Sequence, residues 1–399
     1  MFTARLWFFT APCWVLALVW FGKAISILRG MNTLPDLNAL SSDSLDRDPA
    51  AGPHLTVIVP ACNEEATIAA TLRSLLASTG ASLQIIAVND RSTDATGVLM
   101  NQIAAEVRAT GPHSLEVLHN RELPPGWLGK PHAMHLAAQR ACAPWLLFTD
   151  ADALFAPQAL SRSLTCALAH AADHFVLVPT LKSHSIAESA MMAAVHACTQ
   201  WATRFWKVQD PATRDFLGLG GFNMIRTPSF HALGGMHPLR MEVIEDMSLG
   251  WLAKHSGCRS VVAVGLDLVT IRWIQGPFGI IRNIEKNGFS LFRYRLWLSV
   301  LACLALLLDI VLPLAAILAG GPSILAGVLF YASIALILHA NRRMNSISPA
   351  AAVLFAPCAA ILVVALARSA FLALRRNGIL WRGVHYPLSA LRALAASWR

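Results

Sequence analysis

Asp150-Ala151-Asp152 follows the apolar run PWLLFT. Two carboxylates one residue apart, just past a buried strand, can share a hard divalent ion. Mg²⁺ binds through one or two carboxylates and completes its shell with water and phosphate oxygens. In that setting it neutralises a departing diphosphate. Two other apolar runs end the same way. LTVIVPAC leads into Asn63-Glu64-Glu65, and LQIIAVND leads into Arg91-Ser92-Thr93-Asp94. Each set taken alone is also a good helix cap. Three acid sets brought to one edge repel one another unless a cation or a donor-rich ligand lies between them.

Lys130 stands after a Pro-Pro-Gly turn and before the helical run HAMHLAAQRA. An ammonium there can reach phosphate while the helix N-terminus adds a positive end. Glu245-Asp246 opens another helical run, DMSLGWLAKH. Acids in a first turn are favoured by the helix dipole, and an ionised Asp can also serve as a general base. Gly218-Leu219-Gly220-Gly221 lets backbone come close to a ligand or forms a simple turn. His132 and His135 share a helix face, but a metal role is not favoured in a chain with 14 histidines.

The elements that must position these groups alternate between 54 and 272. Short runs rich in Val, Ile and Leu are separated by helical patterns such as EEATIAATLRSLLAS. This predicts a mostly parallel α/β sheet covered on both faces. In such sheets ligands bind beyond the carboxyl ends of the strands, which is where the acids fall. Segment 186–207 reads as an amphipathic helix, either packed in a core or lying on a membrane.

Outside that region the composition changes. The chain of 399 residues is 55% hydrophobic and 14% charged, too apolar for an ordinary soluble domain. Residues 1–29 read as an uncleaved transmembrane anchor and 30–53 as a polar linker. Segment 273–295 mixes aromatics with Arg282, Lys286, Arg293 and Arg295, as an interfacial helix does. Residues 296–374 hold three apolar stretches, 296–319, 322–340 and 349–374, and 375–399 form a basic tail. A simple crossing of the last stretch would put the basic tail outside, against the positive-inside rule, unless Pro357 breaks it into a re-entrant hairpin, so the side of the tail stays open. Arg342 and Arg343 mark a cytoplasmic loop, which places the large domain in the cytoplasm at the inner membrane and the N-terminus outside. The net charge of +9 lies beside apolar segments, as basic membrane flanks do, and no basic stripe with interleaved aromatics points to nucleic acid. The eight cysteines are scattered with no Cys-x-x-Cys pair, so neither a disulfide framework nor a zinc site is expected.

The stretches VIVPACNEE, VNDRSTDAT, LPPGWLGK, FTDAD, GGFNMIR and VIEDMSLG, in this order, resemble the membrane-bound family 2 glycosyltransferases. The nearest look is to bacterial lipid-directed members, the hopene-associated, carotenoid-acid and ceramide glucosyltransferase-like groups. The resemblance implies a GT-A, Rossmann-like catalytic domain and inverting transfer from a nucleoside-diphosphate sugar, a UDP-sugar, to a lipid or isoprenoid-type acceptor. By that likeness Pro60, Ala61, Asn63 and Glu64 line the nucleotide pocket and Asp90 contacts the base. Lys130 and Asp150 touch the ribose–diphosphate region. Asp150 and Asp152 hold Mg²⁺ or Mn²⁺, and Asp246 is the catalytic base. Gly220, Gly221 and Glu245 fall in the acceptor region. Two departures stand out: Asn89 replaces a frequent Asp, and no Gln-x-x-Arg-Trp run follows the base helix. The second departure weighs against the alternative, a processive polysaccharide synthase. A transporter or scaffold predicts ionisable groups inside spans, where only Asp309, Lys23 and Arg368 qualify.

Overall fold

The computed structural model describes residues 2–40, 52–107, 111–276 and 278–397. The chain divides into two units. One contains the N-terminal helix, residues 183–204 and residues 273–393; residues 34–182 and 205–272 make up most of the other.

The chain begins with α1 (Phe2–Met31). Residues 36–40, expected in a linker, carry a short 3₁₀ turn, and Leu37 N–H donates to Val264 O at 2.8 Å. Residues 41–51 of that linker lie outside the described residues. The α/β pattern then unfolds in order. It runs β1 (Leu55–Ala61), α2 (Ile68–Leu76), β2 (Leu83–Asp90), α3 (Thr96–Glu106), β3 (His113–Asn120), α4 (Gly129–Ala138) and β4 (Trp145–Phe148). It continues with β5 (Leu154–Phe155), α5 (Ala159–Ala169), β6 (His174–Leu177) and β7 (Thr180–Leu181). After α6 (Ile186–Ala202) come β8 (Asn223–Arg226), α7 (Thr227–Ala232), α8 (Glu245–His255), β9 (Ser260–Ala263) and β10 (Val269–Ile271).

Every residue of β1 and β4 is buried, as a strand covered on both faces must be. The main sheet has the order β3-β2-β1-β4-β8-β6-β9. Strands β1, β2, β3 and β4 pair in parallel, whereas β8 is antiparallel to β4 and β6. This is the mostly parallel α/β sheet of a GT-A-like domain. The antiparallel β8 matters for the site. Its first residue, Asn223, pairs with Phe148, the last of β4, so the start of β8 arrives at the edge to which β4 delivers Asp150.

The second unit is helical. It comprises α1, α6, α9 (Gly279–Leu291), α10 (Leu296–Ala319), α11 (Ser323–Ala340) and α12 (Phe355–Arg375), followed by the hairpin β11 (Gly378–Trp381) and β12 (Val384–Pro387) and by α13 (Leu388–Ser397). Four helices among the described residues are long and apolar enough to cross a membrane. Helix α1 packs on α11, although some 290 residues separate them, and α9 packs on α12. Pro357 does not make a re-entrant hairpin. It sits in the first turn of α12, where its missing N–H has no intrahelical partner to lose, and the helix runs on to Arg375. The region expected as a basic tail forms the β11–β12 hairpin and α13 instead. The ionisable groups near the spans have local partners. Asp309 accepts from Trp20 Nε1 at 2.9 Å, and Glu285 of α9 pairs with Arg368 at 3.3 Å and Arg376 at 3.1 Å.

Candidate active site

Lys130 is the hub. It lies at the N-terminus of α4, where the helix dipole is unfavourable to a cation, and it is held there by acids from two other elements. Its Nζ lies 2.6 Å from Asp150 Oδ1, just past β4, and 2.5 Å from Glu245 Oε1 at the start of α8. Burial alone would push the ammonium down, but Asp150, Glu245 and Asp246 hold it above the usual lysine range. Lys130, Glu245 and Asp246 line a recess with Pro60, Met134, Phe148, Thr149, Gly220 and Asn223. Its lining thus combines apolar side chains from the sheet and α4 with the charged groups of Lys130, Glu245 and Asp246.

Asp246 sits in the first turn of α8, and its Oδ1 accepts from Met247 N–H at 2.8 Å. Burial first, and then the adjacent Glu245, raise its carboxyl to about 6, while Lys130 pulls it down. At neutral pH it is ionised yet more basic than an exposed Asp, the property a general base needs.

Asp152 is raised to about 7 by burial and then by the charges of Asp150 and Glu64. Two of the three acid sets therefore converge, Glu64 after β1 with Asp150 and Asp152 after β4. Among the described residues no three His, Cys, Asp or Glu side chains are arranged to hold a metal ion by themselves. The like-charged oxygens around Asp152 nonetheless fit a hard cation that takes its remaining ligands from phosphate and water.

The third acid set does something else. Asp90 is buried, and its carboxylate accepts from Arg91 Nε and Nη2 at 2.9 and 2.8 Å and from Asn120 Nδ2 at 2.7 Å. It is neutralised inside its own strand end and supports Arg91. Asn63 also serves the loops. It adopts a positive φ of 57°, and its Oδ1 accepts from Thr93 N–H at 2.8 Å. Glu65 Oε2 accepts from Ala95 N–H at 2.9 Å, and Glu64 N–H donates to Thr96 Oγ1 at 2.8 Å. The loops after β1 and β2 are zipped together by these bonds. Pro60 lines the recess, while Ala61 is buried at the end of β1.

The glycines prove to be contact points within the protein. A Cβ on Gly220 would strike the Asp150 carboxylate, one on Gly218 the Asp246 carbonyl, and one on Gly221 the Ile271 side chain. Thr149 Oγ1 donates to Gly221 O at 2.9 Å and fixes that strand entry beside β4. Sequence reasoning missed Thr149, Met134, Phe148 and Asn223. Asn223 lay inside the quoted run GGFNMIR, but nothing in the spacing marked its side chain.

The model of the Glycosyl transferase family 2 matches residues 56–246, from the start of β1 to Asp246. The 4,4'-diaponeurosporenoate glycosyltransferase of Staphylococcus aureus (strain MRSA252) is 24% identical over 227 residues, covering 56% of this chain and 57% of that protein. The chain therefore spans little more than half the length of that curated relative. Among solved structures, mannosyltransferase PcManGT from Pyrobaculum calidifontis, in complex with GDP-Man and Mn²⁺, is 19% identical. It covers 98% of both chains with a TM-score of 0.47. TarS 1–349 of S. aureus in complex with UDP is 15% identical and covers 83% of this chain and 95% of that one, with a TM-score of 0.40.

Proposed function

Because residues 56–246 form a family 2 glycosyltransferase domain, we propose that the chain moves a single sugar, with inversion, from a nucleoside-diphosphate sugar, a UDP-sugar, to a lipid or isoprenoid-type acceptor. The observation that carries this reading is the Lys130 hub. It sets a largely buried ammonium and an ionised Asp246 in the lining of one recess. Asp246 takes the proton of an acceptor hydroxyl as that oxygen attacks the anomeric carbon from the face opposite the nucleotide, whereas a carboxylate acceptor attacks already ionised. The transition state is oxocarbenium-like. Lys130 faces the diphosphate as negative charge grows on the leaving oxygen, and electrostatic stabilisation of that kind is commonly the largest single contribution. Asp150 and Asp152 would hold a Mg²⁺ or Mn²⁺ ion, which supplies further neutralisation of the diphosphate when bound. Glu64 and the zipped loops after β1 and β2 shape the nucleotide side, and Asp90 acts there through Arg91.

The acceptor class is supported by the four long apolar helices and by the likeness to an enzyme named for a carotenoid acid. In this reading the protein is a multi-pass protein of the inner membrane with its catalytic domain in the cytoplasm; the apolar helices support the membrane association, and Arg342 and Arg343 after the third span support the orientation.

A direct test incubates detergent-purified protein with a panel of labelled nucleotide sugars and membrane lipid extract, with products identified by mass. A lipid bearing one added sugar is expected; a long polymer, or transfer only to water-soluble acceptors, would overturn the reading. Metal dependence is checked by chelation. EDTA is expected to lower the rate at least a hundredfold, with recovery on adding Mg²⁺ or Mn²⁺, and Asp152→Asn to raise the metal concentration needed for half-maximal rate about tenfold or more, as loss of one ligand oxygen from a small set should. An unchanged rate in EDTA would remove the metal from the scheme.

A further inference from the structure

Behind Asp246 lies a buried polar chain that the reaction scheme above does not use. Asn223 is 1% exposed, and its Nδ2 donates to the Asp246 carbonyl at 3.0 Å. That bond sets the amide's orientation, since the reverse orientation would face oxygen with oxygen. Asn223 Oδ1 is therefore an acceptor, and it receives His174 Nε2–H at 2.7 Å. With its proton on Nε2, the neutral ring must accept at Nδ1, where Ser260 Oγ stands at 3.1 Å. His174 is fully buried in β6, and burial pushes its imidazolium down to about 4, so the ring stays neutral at physiological pH. The donor directions Ser260 to His174 to Asn223 to the Asp246 carbonyl follow from one amide orientation.

The chain ends where placement matters. Gly218 backbone lies against the same Asp246 carbonyl and beside Asn223 Nδ2, with no room for a Cβ. The first turn of α8 is thus packed closely against both Asn223 and Gly218, and Asn223 itself is seated by the β4–β8 pairing opposite Phe148. We propose that Asn223, held by His174 and Ser260, is a positioning residue that orients the Asp246 turn toward the acceptor oxygen. This rests on the reading of Asp246 as the base.

The test compares Asn223→Asp, which keeps size but when ionised cannot donate to the carbonyl, with His174→Gln and His174→Leu, which leave Asn223 in place. All are measured as full-length detergent-purified protein beside Asp246→Asn, with thermal unfolding recorded for each. Asn223→Asp is expected to lower kcat about a hundredfold, the scale of a misplaced reacting group, while KM for the sugar nucleotide stays within about threefold. His174→Gln, which keeps a donor for Asn223, should retain most of kcat, and His174→Leu should fall toward Asn223→Asp. Asn223→Asp added to Asp246→Asn should cause no further loss. If folded Asn223→Asp, or His174→Leu should Asn223→Asp not fold, turns over at the wild-type kcat while Asp246→Asn is inactive, the positioning role fails and the base survives. If Asp246→Asn is active, the base assignment fails first and takes the positioning role with it. A further loss in the double variant, or equal falls for His174→Gln and His174→Leu, also overturns it.

Discussion

Asp246→Asn is expected to lower kcat by about a thousandfold, within the range general-base catalysis contributes, while the protein keeps its fold. The substitution is isosteric, and Asn Oδ1 can still accept from Met247 N–H, as Asp246 does at 2.8 Å. It also removes one negative charge from beside Glu245, so unfolding temperature should not fall. The wild-type pH profile gives an independent reading. A base works ionised, and the free-enzyme carboxyl lies near 6. kcat/KM, which reports the free enzyme, should therefore be flat above pH 7 and decline as pH falls through about 6. Two results would count against the assignment: wild-type turnover in the Asn variant, or no acid limb between pH 5 and 7.

Lys130→Met should act on both stability and catalysis. It strips the shared cation from Asp150, Glu245 and Asp246. Glu245 has a side-chain exposure of only 3%, whereas Asp150 is 35% exposed and can turn to water. The stability loss therefore arises mainly at Glu245, and for breaking a buried pair it is about 3–5 kcal/mol. In the proposed reaction the same charge stabilises the departing diphosphate, so kcat/KM should fall about 10²–10³-fold. The acid limb should also move. Lys130 pulls the Asp246 carboxyl down, so without it the limb shifts above 6 and eats into activity at neutral pH. Lys130→Arg keeps the charge and should restore part of each effect. Unchanged stability and an unmoved acid limb in folded Lys130→Met would show that the hub does not tune Asp246.

Much of the site was legible because strand ends announce themselves. Val-, Ile- and Leu-rich runs closing in Asn63-Glu64, Asn89-Asp90 and Asp150-Ala151-Asp152 imply parallel strands, and the topology of such sheets puts ligand groups at their carboxyl ends. What ran past the sequence was pairing. Asp90 reads as one more acid at that edge, yet the bidentate bond to Arg91 removes its charge from the cluster. The glycines around 218–221 read as ligand approach or a simple turn, and the structure adds that they make room for protein atoms of Asp246, Asp150 and Ile271.

By itself the sequence determined the alternation of strands and helices, the apolar stretches within 1–29 and 296–374 and the chemical types at each strand end, because these depend on local periodicity and composition. Only the tertiary structure decided that Lys130 is shared by Asp150 and Glu245, that Asn223 rather than a nearer neighbour holds the Asp246 turn, and that α1 packs with helices almost 300 residues away. Those outcomes are set by contacts between residues far apart in the chain, each favoured by burial and by the need to satisfy buried charge and hydrogen-bonding groups, and no local spacing encodes them.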